Sequence, residues 1–127
     1  MRILLADDHE VFRMGLVQII REKYPSVEIG EARNSAETLE CLRHQAWDIL
    51  VLDIFMPGRS GLEVLHEAAR DYPLIPVLVL SSAPDDQLAL RVLKSGASGY
   101  LNKRVAAEEL VKAVELLLSG RRYIRAA

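Results

Sequence analysis

Two adjacent aspartates, Asp7 and Asp8, stand where the apolar run Ile3 to Ala6 stops, and a third, Asp53, follows the run Ile49 to Leu52. Like charges side by side raise a pKa and resist burial unless a cation or hydrogen-bond donors offset the cost. Three carboxylates with no ring of His or Cys around them make an oxygen-rich site, suited to a hard cation such as Mg2+, or Mn2+, that keeps several waters. Asp53 can then touch the metal and still present a free oxygen as nucleophile. Ser81 and Ser82 follow the apolar run Ile75 to Leu80, and Lys103 follows Gly99 to Leu101. The Ser81 hydroxyl and the Lys103 ammonium can meet the oxygens of an arriving anion. Such parts suit phosphoryl transfer, where positioning and charge neutralisation carry most of the catalysis.

Each of these residues has a blander explanation. An Asp at a strand end often caps the next helix or accepts turn hydrogen bonds. Five such side chains, each just past a strand-like run, favour a shared site. His9, beside the acidic pair, is a weak transition-metal candidate, because His44 and His66 lack ligand spacing and fall on helix surfaces. Tyr100 reads equally as core or as a half-buried switch, and Trp47 as packing. Gly58 to Gly61, GRSG, is no P-loop, since no GK[ST] follows.

The elements that must position these residues are legible as an alternation. Strand-length apolar runs occur at Ile3 to Ala6, Val27 to Ile29, Ile49 to Leu52, Ile75 to Leu80 and Gly99 to Leu101. Their richness in Ile, Val and Leu predicts strands covered on both faces. Helix-period faces follow: Phe12, Leu16, Ile19 and Ile20; Ala36, Leu39 and Leu42; Leu62, Leu65 and Ala69; Leu88, Val92 and Leu93; Leu110, Val114, Leu117 and Leu118. Asn34 or Ser35 caps the second helix, Ser60 with Glu63 predicts a capping box for the third, and Gly96 and Gly120 stop the last two. Pro25 and Pro73 end helices one and three. Strict alternation with short connections requires right-handed crossovers, hence a parallel sheet between two helix layers. In such sheets ligands bind beyond the carboxyl ends of the strands, which is where every candidate side chain lies.

Bulk properties set outer bounds. The chain has 127 residues, 50% hydrophobic and 27% charged, with a net charge of -2. That describes one ordinary domain able to bury a core without staples, and it gives no polyelectrolyte signature of nucleic-acid binding. The lone Cys41 is expected to be a buried or half-buried structural thiol, consistent with a reducing cytoplasm. No signal-peptide core and no membrane-spanning run is evident. The final RRYIRAA reads as the start of a linker.

Taken together, ADDHEVFRMGL, DILVLDIFMPGRSGLEVL, VLVLSS and KSGASGYLNK resemble the receiver domain of bacterial two-component response regulators, over essentially the whole chain. ADDH, GASGYLNK and SGRRYI are most similar to the NarL/FixJ (LuxR-type) subfamily. The resemblance implies a CheY-like, flavodoxin-like (βα)5 sandwich with a five-stranded parallel sheet of order 2-1-3-4-5. It implies a receiver over residues 1–120, with 121–127 opening a linker to a C-terminal helix-turn-helix DNA-binding domain.

The implied function is a phosphorylation-activated switch controlling transcription, rather than an enzyme, that promotes its own phosphorylation and slow autodephosphorylation. Asp53 would accept the phosphoryl group from a sensor histidine kinase or a small donor such as acetyl phosphate. Asp8, Asp53 and the backbone carbonyl of Phe55 would bind Mg2+, with Asp7 acting directly or through water. Lys103 would contact the phosphoryl oxygens, Ser81 would move toward them and Tyr100 would swing inward, shifting the face of helix four, strand five and helix five. A phosphorylation-dependent homodimer is a further expectation by resemblance, and DNA is reached only through the other domain.

Three positions depart from the family pattern. Arg104 stands where receivers commonly carry a proline after a cis peptide; without proline a cis bond there costs about 3 to 4 kcal/mol. Phe55 is bulky beside the phosphorylation site. Pro84 restricts Ala83 in the segment leading to helix four. A haloacid-dehalogenase-like phosphatase is the remote rival, but it needs a second Asp two residues after the nucleophile, where Phe55 stands. A pseudo-receiver, or a natural single-domain receiver, acting by protein contacts alone completes the alternatives.

Overall fold

The computed structural model describes residues 1–82 and 86–125. Five strand–helix units alternate: β1 (Arg2–Ala6), α1 (Glu10–Lys23), β2 (Glu28–Ala32), α2 (Ser35–His44), β3 (Ile49–Asp53), α3 (Gly61–Asp71), β4 (Val77–Ser81), α4 (Asp86–Lys94), β5 (Gly99–Asn102) and α5 (Ala106–Leu118). A 3-10 turn over Lys103–Val105 leads from β5 into α5. A short strand, β6 (Tyr123–Arg125), follows.

All strands are parallel, in the order β2-β1-β3-β4-β5-β6. The expected five-stranded order is thus present and extended by one. The correction concerns the number of strands, six where five were expected: Tyr123 pairs with Gly99, Ile124 with Tyr100 and Arg125 with Leu101. Tyr123 is buried against α5, and this anchor draws the chain back along β5 after Gly120.

Period-two alternation sorts the central strands into two cores. Ile3, Leu5, Ile49, Val51, Leu78 and Leu80 face Leu16 and Ile20 of α1 and Leu110, Val114 and Leu117 of α5. Leu4, Leu50, Leu52, Val77 and Val79 face Leu39 and Leu42 of α2, Val64 and Leu65 of α3 and Val92 of α4. Two helix faces are rotated from expectation. Ala36 is exposed while Ser35 and Thr38 turn inward, and α3 buries Val64, Leu65 and Ala68 instead of Leu62 and Ala69.

Local chemistry explains where the helices start and stop. Asn34 Oδ1 accepts from the Glu37 amide at 2.8 Å and caps α2. Ser60 caps α3 by accepting from the Leu62 amide, but Glu63 does not reach back to it: its carboxylate pairs with Arg59, so no capping box forms. After α4 the amides of Gly96 and Ala97 bond to Leu93 and Val92 carbonyls, a Schellman stop that needs the positive φ of Gly96, +109°. Trp47 is buried and donates its indole N–H to the Cys41 carbonyl at 2.8 Å. Cys41 is half-buried, and burial raises its thiol pKa, as a structural thiol requires.

Candidate phosphoacceptor and metal site

Ala6 pairs with Leu52 in the ladder, so Asp7 and Asp53 leave neighbouring strands side by side. Both are 1% exposed. Asp8, one residue later, keeps 29% of its side chain accessible. Lys103, just past β5, reaches over the rim: its Nζ lies 2.8 Å from Asp7 Oδ2 and 3.1 Å from Asp53 Oδ2. The ring of Phe12 in α1 lies 4.7 Å beneath that ammonium, a cation–π contact that steadies it. The candidate side chains of three strand ends therefore meet in one pocket.

Electrostatics explain why such a pocket needs a cation. Burial pushes the Asp53 carboxyl above its ordinary range, against the opposing pull of the Phe55 amide and of Lys103, and Asp7 pushes the same way as burial. The Phe55 amide donates to Asp53 Oδ1 at 3.0 Å. Phe55 itself is 55% exposed, so its bulk faces outward beside the acceptor. Ligand atoms of Asp7, Asp8, His9 and Asp53 all lie within 4.8 Å of one another. Asp8 Oδ1 is buried and accepts no hydrogen bond among the described residues. An orphaned oxygen within a cluster of carboxylates fits a hard divalent ion.

The remaining candidates stand as follows. Ser81 is fully buried at the end of β4, paired with Asn102 and one residue past Leu80, the ladder partner of Asp53. Tyr100 is fully buried among the α2–α3–α4 core, so its ring is already inward in this structure. The Lys103–Arg104 peptide is trans, and the Asn102 side chain accepts from the Arg104 amide at 2.9 Å to shape the turn. Pro84 and Ala83 lie outside the described residues. His44 and His66 are exposed, as expected.

Two residues escaped sequence reasoning. Arg13 is only 7% exposed; its Nη1 donates to the Asp7 carbonyl at 2.6 Å and its Nε to Glu31 Oε1 at 2.7 Å. It ties the loop bearing both aspartates to α1 and β2. The available signal was its spacing, since Arg13, Leu16 and Ile20 form one helical stripe. His9, discounted as a ligand, brings Nδ1 within 3.2 Å of Asp7 Oδ1 and 3.4 Å of Asp8 Oδ1.

A family model described as "Response regulator receiver domain" matches residues 3–115. The chain belongs to the response regulator receiver family. Among curated relatives, the receiver is 34% identical to response regulator UvrY of Escherichia coli K12, covering 96% of this chain and 56% of that protein. It is 32% identical to response regulator GacA of Pseudomonas viridiflava, covering 97% and 58%. The chain thus spans little more than half the length of these relatives. Among solved structures, a LuxR-family response regulator from Aurantimonas superposes with a TM-score of 0.88 at 33% identity, covering 96% of this chain and 87% of that one. The receiver domain of response regulator NarL from Mycobacterium tuberculosis gives 0.84 at 35% identity, covering 94% and 97%. These neighbours agree with the NarL/FixJ character of the sequence. The receiver is a signalling module of two-component systems rather than a conventional enzyme. No helix among its described residues is long and apolar enough to cross a membrane.

Proposed function

We propose that Asp53 accepts a phosphoryl group and that the resulting charge switches the receiver between two states. The observation that carries this reading is the Lys103 ammonium seated between Asp7 and Asp53, in a rim where a buried Asp8 oxygen accepts no hydrogen bond among the described residues. The pocket is built to neutralise anionic oxygens; a backbone amide steadies one oxygen of Asp53, as one does for Asp7, and Asp53 lies beside the exposed Phe55 at the mouth of the pocket.

In the forward step an Asp53 oxygen forms a bond to phosphorus while the bond from phosphorus to the donor breaks. The electron pair leaves with the donor, a phosphohistidine imidazole of a sensor kinase or the acetate of acetyl phosphate. A divalent ion, Mg2+ or Mn2+, supplies charge neutralisation for the phosphoryl oxygens when bound. Asp8, Asp53 and the Phe55 carbonyl would hold it, with Asp7 direct or through water. Lys103 moves from pairing with Asp53 to pairing with the new phosphoryl oxygens. Ser81, buried beside them, supplies a hydroxyl. In slow autodephosphorylation a water oxygen bonds to phosphorus as the bond from phosphorus to the Asp53 oxygen breaks, so the carboxylate is regenerated and inorganic phosphate leaves, with Phe55 restricting the water's approach.

Phosphorylation adds nearly two negative charges and strong acceptors, so Ser81 at the end of β4 and the β5–α5 connection respond. The α4–β5–α5 face is the output, and β6 lies on its β5 edge. Tyr100, already buried, contributes to the switch through β5 packing. DNA binding would belong to a helix-turn-helix domain separate from the receiver, and phosphorylation favours a homodimer. A receiver of RcsB from Salmonella enterica, 25% identical, has been solved in the presence of the phosphomimetic BeF3-, which supports a comparable state here. The test is incubation with acetyl phosphate and Mg2+ followed by intact-mass measurement. Wild type should gain one phosphoryl group and Asp53→Asn none; equal labelling of both would refute the assignment.

A further inference from the structure

The rim holds one nitrogen donor among its oxygens. His9 Nδ1 lies 3.2 Å from Asp7 Oδ1, 3.4 Å from Asp8 Oδ1 and 3.2 Å from Lys103 Nζ. His9 is the N-cap residue of α1, yet its side chain makes no capping bond, so the ring is not spent on the helix. The backbone instead fixes the residue: the His9 amide donates to Asp7 Oδ1 at 2.7 Å.

One ring nitrogen cannot serve all three neighbours. An ammonium is a donor only, so at Lys103 the imidazole must offer its lone pair; the carboxylates are acceptors only, so facing them it must offer a proton. A metal cation resolves the conflict, because carboxylate oxygens and an imidazole lone pair all point their electrons at it. The four ligand atoms, within 4.8 Å of one another, are spread slightly wider than an octahedral shell, whose opposite donors stand about 4.2 Å apart at a metal–ligand distance of about 2.1 Å, so a small inward shift closes them on the ion. The buried Asp8 Oδ1, without a hydrogen bond among the described residues, belongs to the same shell.

Donor type then decides the ion. Three carboxylates alone suit Mg2+, whereas an imidazole added to them raises affinity along the first-row divalent series, which begins with Mn2+. We propose that His9 Nδ1 is a further protein ligand, the one nitrogen among oxygens, and that it makes this receiver prefer a first-row transition ion, Mn2+, to Mg2+. The inference rests on the reading of the acidic rim as a divalent-cation site. His9 thereby becomes a specificity-determining residue: the ion, and with it the rate of phosphoryl uptake, is selected by cation supply.

The experiment is pulsed electron spin-echo spectroscopy of the Mn2+-loaded receiver, together with calorimetric titration of Mn2+ and Mg2+ into wild type and His9→Gln. The His9 side chain is 63% exposed, so the substitution is compatible with the fold, which circular dichroism verifies. Wild type should show nitrogen modulation that shifts on labelling histidine with 15N, and should bind Mn2+ more tightly than Mg2+ by about tenfold or more. His9→Gln should lose the modulation and most of the preference, through weaker Mn2+ binding. Mn2+ binding without nitrogen modulation, or an unchanged preference in His9→Gln, overturns the role of His9 alone. Failure of wild type to bind either ion overturns the cation-site reading and this inference with it.

Discussion

Replacing Lys103 by methionine tests how the acidic rim is balanced. The length of the side chain is kept; the charge, and with it the cation–π contact to Phe12, is removed. The ammonium it deletes is 2.8 Å from Asp7 Oδ2 and 3.1 Å from Asp53 Oδ2, with only 11% of the lysine side chain and 2% of either carboxylate side chain exposed. Removing one partner of a buried ion pair costs about 3 to 5 kcal/mol. Asp53 relieves part of that by taking up a proton, because burial already raises its pKa, so about 2 to 3 kcal/mol is expected. For a domain of this size that lowers Tm by about 6 to 12 °C. A divalent cation should restore most of it, since ligand at about 100 times Kd contributes about 2.7 kcal/mol. Thermal melts of wild type and Lys103→Met with and without Mg2+ supply the comparison, and the variant should gain more from Mg2+ than wild type. Phosphorylation-driven change, read as a chemical-shift or sizing response to beryllofluoride, should fall, whereas Mg2+ affinity should not. An equal loss with and without the ion, or a loss below about 0.5 kcal/mol, would refute the charge-compensation reasoning.

Other perturbations probe the supports of the site. Gly61→Ala gains about 1 kcal/mol in helix propensity, but its Cβ would stand 2.2 Å from the Ile54 carbonyl oxygen, so urea unfolding should show a net loss of about 1 to 3 kcal/mol. A variant as stable as wild type would show that the loop before α3 yields freely. Arg13→Met leaves the Asp7 carbonyl and Glu31 without their donor; about 1 to 3 kcal/mol of stability and part of the Mg2+ affinity should go with it, whereas unchanged calorimetric affinity would deny Arg13 its positioning role. Asp53 has its folded-state pKa raised above the ordinary 3.8, chiefly by burial, so its contribution to stability is present below that value and is lost as pH rises through the raised one. Metal-free Asp53→Asn should therefore melt above wild type at pH 7, with the gap closing as pH falls. A gap that widens on acidification would contradict the sign.

The sequence made the rim legible because parallel strands announce their carboxyl ends: Asp7, Asp53, Ser81 and Lys103 each follow an uninterrupted apolar run. Helix stops were equally plain at Gly96 and Gly120, where a positive φ selects glycine. What stayed hidden depends on contacts between distant segments. Tyr123–Arg125 has neither length nor alternation to mark it as a strand, and its place is set by the β5 edge and by burial of Tyr123. Arg13 looks like a surface residue of an amphipathic helix until Glu31 and the Asp7 carbonyl arrive from elsewhere. Ser60 and Glu63 have capping-box spacing, yet Arg59 competes for the glutamate. Ser35 occupies an inward position because its hydroxyl donates to the Arg59 carbonyl at 2.6 Å, a partner that no helix-period rule contains.

The central claim is that one carboxylate becomes an acyl phosphate, and borohydride trapping tests it at the residue. Reduction of the acetyl-phosphate-treated receiver should convert position 53 alone to homoserine, found by peptide mapping, and the conversion should disappear without a divalent ion. Homoserine at position 7 or 8 instead, or none anywhere when phosphate has been incorporated, would contradict the account.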